Sequence, residues 1–456
     1  MPPFTRRGRV SRLILPIAGL TLLVLERPLA RALPAAESGP PAATIRTPAP
    51  IGRQGPQLRV LLQQAESLEL AAASAPLRLR SGGGAPLLLE PGRPLAISLT
   101  ADGGLSASVQ EPGGPHRAQL SLAGDGLWLE PLASGSDGPQ FLLRDRLFRG
   151  RLQVRLVEGR LQAINHIGLE SYLASVVGSE MPASWPLAAL EAQAVAARTY
   201  ALAQRRPNAP FDLRATVASQ MYRGVIAETA STRRAVERTR GEVLTHGTRL
   251  IQAVFHSSSG GSTENSGEIW RQQHPYLVSV PDFDAASPVA RWEQRFSPGQ
   301  LRLAFKEIDG VRSIEVLASS STGRIRQARV LGPGGSLLLS GAELRQRLGL
   351  RSTWVSFSLE PAPPSAAAAQ ATGALSGGGG ALSQAVSSAL QISPAAAAQE
   401  VQPEPEPSLL AIGRGFGHGV GMSQWGAFAM AQSGRDYRSI LEHYYRGASL
   451  SVWRGP

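Results

Sequence analysis

The chain has 456 residues, no cysteine, and a net charge of +12 carried almost wholly by arginine. Without cysteine there is neither a disulfide nor a thiolate metal site, so a packed aliphatic core must hold the fold. The positive charge suits anionic wall polymers or lipid head groups; the arginines are dispersed and no nucleic-acid motif appears, so no nucleic-acid partner is expected.

In chain order, Arg6, Arg7, Arg9 and Arg12 precede an apolar run from Leu13 to Leu25, followed by small residues around Ala30 to Ala36. That is the order of an export signal, and residues 1–36 are read as a signal peptide or N-terminal anchor. The run is short for a spanning helix, and no other segment is apolar enough to cross a bilayer. Residues 37–56 form a Pro/Ala-rich linker. Residues 57–164 hold short alternating or apolar runs broken by glycine and proline, such as LRVLLQQ, LAISLT and LQVRLVEG, which predict an antiparallel, β-rich module.

Residues 165–360 mix helices and strands, giving an α+β fold class. Tyr172, Leu173, Val176 and Val177 recur at helical spacing, with Gly178 as a stop. Glu180 falls in the turn that follows. Ser184 is placed to cap a second helix with Pro186 in its first turn. Alanine lies nearly all round that helix, which predicts burial. Gln193 and Arg198 interrupt the apolar surface, and a buried guanidinium requires a partner; Glu180 and a substrate are both candidates. Further helices are predicted over Thr229 to Arg240 and Pro298 to Lys306. Leu250 to His256 reads as a strand leading into a polar loop, HSSSGGSTENS, of the solvated kind.

Residues 361–408 are rich in Ala, Gly, Ser and Pro and are expected to be a disordered low-complexity insertion. Residues 409–456 return to the core. There, glycine occupies every other position from Gly413 to Gly421, a period of two that predicts an extended strand with one bare face for close approach. Neither a P-loop nor a dinucleotide fingerprint fits its spacing. Ser423 is placed to cap a helix from Gln424 to Gln432, closed by Gly434.

Several long blocks stand together in order: SEMPASWPLAALEAQAVAARTYA (Ser179 to Ala201), SQMYRGV (Ser219 to Val225), AVERTRGEVL (Ala235 to Leu244), FHSSSGGSTENS (Phe255 to Ser266) and GRGFGHGVGMSQWGA (Gly413 to Ala427). With the approach from Phe148 to Leu173, they resemble the SpoIID/LytB family, the stage II sporulation protein D-like and amidase-enhancer proteins of bacterial cell walls.

That resemblance implies an exported protein of the periplasm or cell wall that acts on peptidoglycan glycan strands. Family members like stage II sporulation protein D are lytic transglycosylases that cleave the MurNAc–GlcNAc bond, preferring denuded strands and leaving 1,6-anhydro-MurNAc ends. Glu180 matches the family's catalytic acid, and Arg198 an arginine implicated in activity. A lone acid that donates its proton must have a raised pKa, so Arg198 is expected to hold sugar oxygens or the N-acetyl group instead of pairing tightly with Glu180. Gln193, Ser257, Ser258, His418, Ser423 and Gln424 are taken as substrate-binding groups. No cofactor is expected and no metal, since the cysteines that bind zinc in some members are absent here. The tyrosine that members carry in an S-P-x-Y-x-W stretch is also absent: this chain reads Ser287, Pro288, Val289, Ala290, Arg291, Trp292. Other members enhance a cell-wall amidase without cutting glycan, which leaves an amidase partner as the alternative.

Overall fold

A computed structural model describes residues 55–81, 86–100, 105–111, 114–120, 126–132, 140–360 and 407–454. The expected signal or anchor, nearly all of the linker and nearly all of the low-complexity insertion lie outside the described residues. Among the described residues no helix is long and apolar enough to cross a membrane.

The fold is α+β. Strands such as Leu77–Arg80 and Pro94–Leu99 alternate buried leucine or isoleucine with exposed residues, as a sheet with one covered face requires. They form a seven-stranded and a six-stranded sheet. In the larger sheet, Gln57–Ala65 lies between Arg160–Gly168, to which it pairs antiparallel, and the short strand Leu213–Arg214, to which it pairs parallel. A strand from beyond residue 164 thus closes one edge of the β-rich region, and one continuous apolar core joins the sheets to the helices that follow.

Helix α1 (Leu169–Glu180) leads through a short turn to α2 (Leu187–Ala203). Residues 189–199 of α2 are all buried, because alanine lets neighbours approach from every side. α2 packs against α1, α3 (Ala230–Arg238) and the two C-terminal helices. Two expectations about helix ends are corrected. Gly178 does not stop α1 but lies inside it, where a Cβ would meet the Ala227 carbonyl oxygen at 1.9 Å. Ser184 makes no cap; Pro186 is the N-cap residue, and its carbonyl accepts from the N–H groups of Ala189 and Leu190.

After the short α4 (Ser266–Ile269), residues from Trp292 to Val355 build a second, smaller core with Leu409 and Ala411. It lies under two three-stranded sheets, α5 (Pro298–Ala304) and α6 (Gly341–Leu348). Strand Ser408–Arg414 sits in the middle of one of these sheets, between Arg291–Phe296 and Val355–Glu360. The chain then returns to the first core through α7 (Gln424–Gln432) and α8 (Tyr437–Tyr444).

The predicted strand over Leu250 to His256 is two fragments, Arg249–Leu250 and Phe255–His256, in separate sheets. The polar loop after it is not a solvated connection: Ser258, Ser259, Thr263, Glu264 and Ser266 are buried. Their polar atoms are satisfied internally; Glu264, for instance, takes the hydroxyls of Ser320 and Thr322 and pairs with Arg324. The glycine ribbon is also corrected. Regular strand geometry ends at Arg414, and Gly415, Gly417, Gly419 and Gly421 all have positive φ. The close approach expected of it is real: a Cβ on Gly421 would lie 2.2 Å from the Val254 carbonyl oxygen, and one on Gly417 would lie 2.7 Å from His256 Cβ.

A candidate acid site at the end of helix α1

Glu180 is the last residue of α1, at the negative end of the helix dipole, where an anion is disfavoured. Its side chain is half-buried. Oε1 accepts the backbone N–H of Met221 at 2.8 Å, and Oε2 accepts Gln424 Nε2 at 3.2 Å. Burial raises its pKa above the ordinary glutamate value; the Met221 and Gln424 bonds and the nearby Arg223 guanidinium oppose this without cancelling it. The carboxyl therefore keeps its proton to higher pH than an exposed glutamate.

Each donor is positioned by its own stretch of chain. In SQMYRGV the side chains of Gln220 and Tyr222 turn inward, Arg223 is exposed, and Met221 offers its N–H to the acid. Gln220 accepts from the Tyr172 hydroxyl and donates to the Ala197 carbonyl, tying the segment to α1 and α2. Tyr222 donates to Asn165 Oδ1 and packs at a tilt against Tyr172, with ring centroids 4.9 Å apart. Burial holds both tyrosines protonated far above neutrality, with Glu180 adding to the effect at Tyr172.

Gln424 arrives on the first turn of α7. Ser423 caps that helix, accepting Gly426 N–H at 3.2 Å. Beneath the cap, half-buried Asp282 gathers the hydroxyls of Ser259, Tyr444 and Ser423. Burial, with the neighbouring Asp284 carboxylate, raises the Asp282 pKa. Gly426 has no room for a Cβ, which would fall 1.9 Å from Asp282 Oδ1. The start of α7, and with it the aim of Gln424, is thus fixed from below. Gln424 also reaches Gln193 Oε1 at 3.5 Å, so Glu180, Gln424 and Gln193 form one linked set.

The other anticipated residues stand elsewhere. Arg198 is completely buried and clamped by Glu170 through two bonds, Nε to Oε1 at 2.8 Å and Nη2 to Oε2 at 2.7 Å. Its remaining donors meet Thr239 Oγ1 and the carbonyls of Glu242 and Val236. The expectation that it holds sugar is therefore corrected: its N–H groups are occupied and no surface of it meets solvent. Ser258 is buried, with its hydroxyl on Asp284. Ser423 is a buried cap, and half-buried Ser257 accepts Trp425 N–H through its carbonyl oxygen.

His418 packs between His256 and Trp270, with ring centroids 5.4 and 5.3 Å away. Burial and then the Arg345 charge push its pKa down to about 4, and burial with the His418 neighbour lowers His256 as well. Both imidazoles are neutral at neutral pH and belong to the packing of the ribbon. Met221 and Tyr172 are site residues that sequence reasoning did not single out. The Met221 contribution is a backbone N–H, which no side-chain pattern encodes, although the SQMYRGV block marks its position.

Residues 157–246 match the SpoIID family, described as "Stage II sporulation protein". The chain is 29% identical over 302 residues to the amidase enhancer of Bacillus subtilis, covering 62% of this chain and 40% of that protein. It is 29% identical over 310 residues to stage II sporulation protein D of the same organism, covering 64% of this chain and 76% of that one. The corresponding protein of Bacillus amyloliquefaciens is 28% identical over 315 residues, covering 63% and 76%. The blocks that build the Glu180 site and these likenesses agree: residues 157–246 match the SpoIID family model, and the chain around them is similar to SpoIID/LytB proteins.

Proposed function

We propose that the protein is a peptidoglycan lytic transglycosylase in which Glu180 is both acid and base. One observation carries the reading: Glu180 is a half-buried carboxyl with raised proton affinity, gripped by two neutral donors. The charged group that acts on it is Arg223. A two-carboxylate hydrolase needs an acid and a partner about 5 to 9.5 Å apart. A transglycosylase needs one acid used twice. Protonated Glu180 gives its proton to the glycosidic oxygen as the C1–O bond breaks. The resulting carboxylate accepts the C6 hydroxyl proton while that oxygen closes on C1, giving a 1,6-anhydro ring without consuming water. Met221 N–H and Gln424 steady the carboxylate between the two transfers.

The same proposal places the protein outside the cytoplasm, against glycan strands, by way of residues 1–36. It takes residues 57–164 as a β-rich module and residues 165–360 with 409–456 as the site-bearing core. A second reading, a wall-binding amidase enhancer that cuts nothing, is favoured by the likeness to the Bacillus subtilis amidase enhancer and by Ala290 at the tyrosine position of the S-P-x-Y-x-W stretch. Digestion of purified denuded glycan strands separates the two. Anhydro-MurNAc made by the wild type and lost in Glu180→Gln supports the enzyme; strand binding without product in either protein supports the enhancer.

A further inference from the structure

Beside the acid lies a cluster of three aromatic rings. Trp185 sits in the turn between α1 and α2, held by its N–H bond to the Pro182 carbonyl at 3.0 Å. Trp425 and Phe428 are three residues apart on α7 and so share one face. Ring centroids are 4.9 Å apart for Trp185 and Trp425, 4.8 Å for Trp185 and Phe428, and 5.4 Å for Trp425 and Phe428. All three are half-buried. Trp425 directly follows Gln424, whose amide holds Glu180, so one ring of the cluster and one donor to the acid are carried by the same turn of helix.

The polar edges of these rings are as informative as their faces. Trp292, a core residue, spends its indole N–H on the Gly415 carbonyl at 2.8 Å. Among the described residues neither Trp185 nor Trp425 has an acceptor for its indole N–H. A tryptophan recruited for packing normally satisfies that group when buried. Two that remain half-buried with a donor to spare suit a ligand with an apolar face and hydroxyls at its rim. A pyranose ring has this form: axial C–H groups on one face, hydroxyl and amide oxygens around the edge.

We infer that Trp185, Trp425 and Phe428 form a stacking platform for one sugar ring of a β-linked N-acetylhexosamine strand, seated next to the bond presented to Glu180. This rests on the glycan-cleaving reading of the site and adds to it the subsite that sets register. Stacking on two indoles fixes where along the strand the acid meets a bridging oxygen. Arg223 is exposed, and its charge acts on the same carboxyl.

The test uses the full chain carrying Glu180→Gln, so binding is read without turnover, with chitotetraose as the probe. Calorimetry is expected to show binding that weakens about tenfold in Trp425→Leu, the upper range for loss of a stacked aromatic, and about twofold or less in Trp425→Phe. Of the indole N–H resonances of the 7 tryptophans, those of Trp185 and Trp425 are expected to move most on addition of chitotetraose. Equal affinity of Trp425→Leu and its parent overturns the inference, as does failure of the parent to bind at millimolar chitotetraose. Should Trp425→Leu lose its cooperative thermal transition, Phe428→Leu and the resonance shifts decide in its place. If the wild type yields no anhydro product while the platform still binds, the catalytic reading falls and this subsite stands. If product forms but Trp425→Leu cuts and binds normally, the reverse holds.

Discussion

Helix α1 carries a glutamate near each end, and their fates differ. Glu170 is buried at 3% exposure and clamped by the Arg198 guanidinium. Glu180 is half-buried and held by an amide and a backbone N–H, neither of which carries charge. A formal cation grips the first carboxylate through two hydrogen bonds, a structural tie between α1 and α2. Neutral donors leave the second able to gain and lose a proton. Two glutamates on one helix thus receive different partners, and under the proposed function only the second is left free for chemistry.

The largest expected effect at the reactive end is loss of chemistry. Glu180→Gln should lower anhydro-product formation by about 10²–10⁴-fold or more, the range for removing a positioned acid or base, with the fold intact by circular dichroism. A variant that turns over at wild-type rate would abolish the contrast. At the structural end, Arg198→Met leaves Glu170 buried without its partner and should cost about 3–5 kcal/mol in denaturant unfolding. The double change Glu170→Gln with Arg198→Met should recover part of that loss. A stable Arg198→Met protein with weakened glycan binding would return Arg198 to the sugar.

Intermediate in size is Gly178→Ala, where the new methyl meets the Ala227 carbonyl; about 1–3 kcal/mol of destabilisation is expected from overpacking. The smallest effects are shifts along the pH axis. Because burial raises the Glu180 pKa, whatever stability it contributes is present while it is protonated and fades as pH rises through the folded value. Glu180→Gln should match the wild type in acid and exceed it above that value, as read from thermal midpoints against pH. Activity should fall on the same alkaline limb. Gln424 donates to the charged form, so Gln424→Leu should move that limb to higher pH; a move to lower pH would mean that Gln424 supports the neutral acid instead.

What the sequence disclosed was mostly what is local. Helix α7 and its Ser423 cap were legible because the cap bonds only three residues away. The buried, alanine-rich α2 was legible from its lack of a polar face. Arg198 was recognised as needing a partner, but Glu170 lies 28 residues earlier in the chain, and only the packing of α1 on α2 selects it over Glu180. The glycine alternation fitted a flat strand equally well as a ribbon of left-handed turns, since glycine itself does not choose the sign of φ. Gly178 resembled a helix stop because the carbonyl that demands a glycine belongs to another segment. The raised Glu180 pKa was anticipated from the chemistry, whereas the identities of its two donors required the tertiary fold.

The antiparallel pairing of Glu360 with Ser408 brings together the two points between which residues 361–407 run. Chain length between paired ends is entropically cheap, at about 0.6 kcal/mol per doubling. The pairing therefore makes this hairpin base a natural graft point: a short turn, a fluorescent reporter or an affinity module spliced there would enter and leave the framework at adjacent rungs.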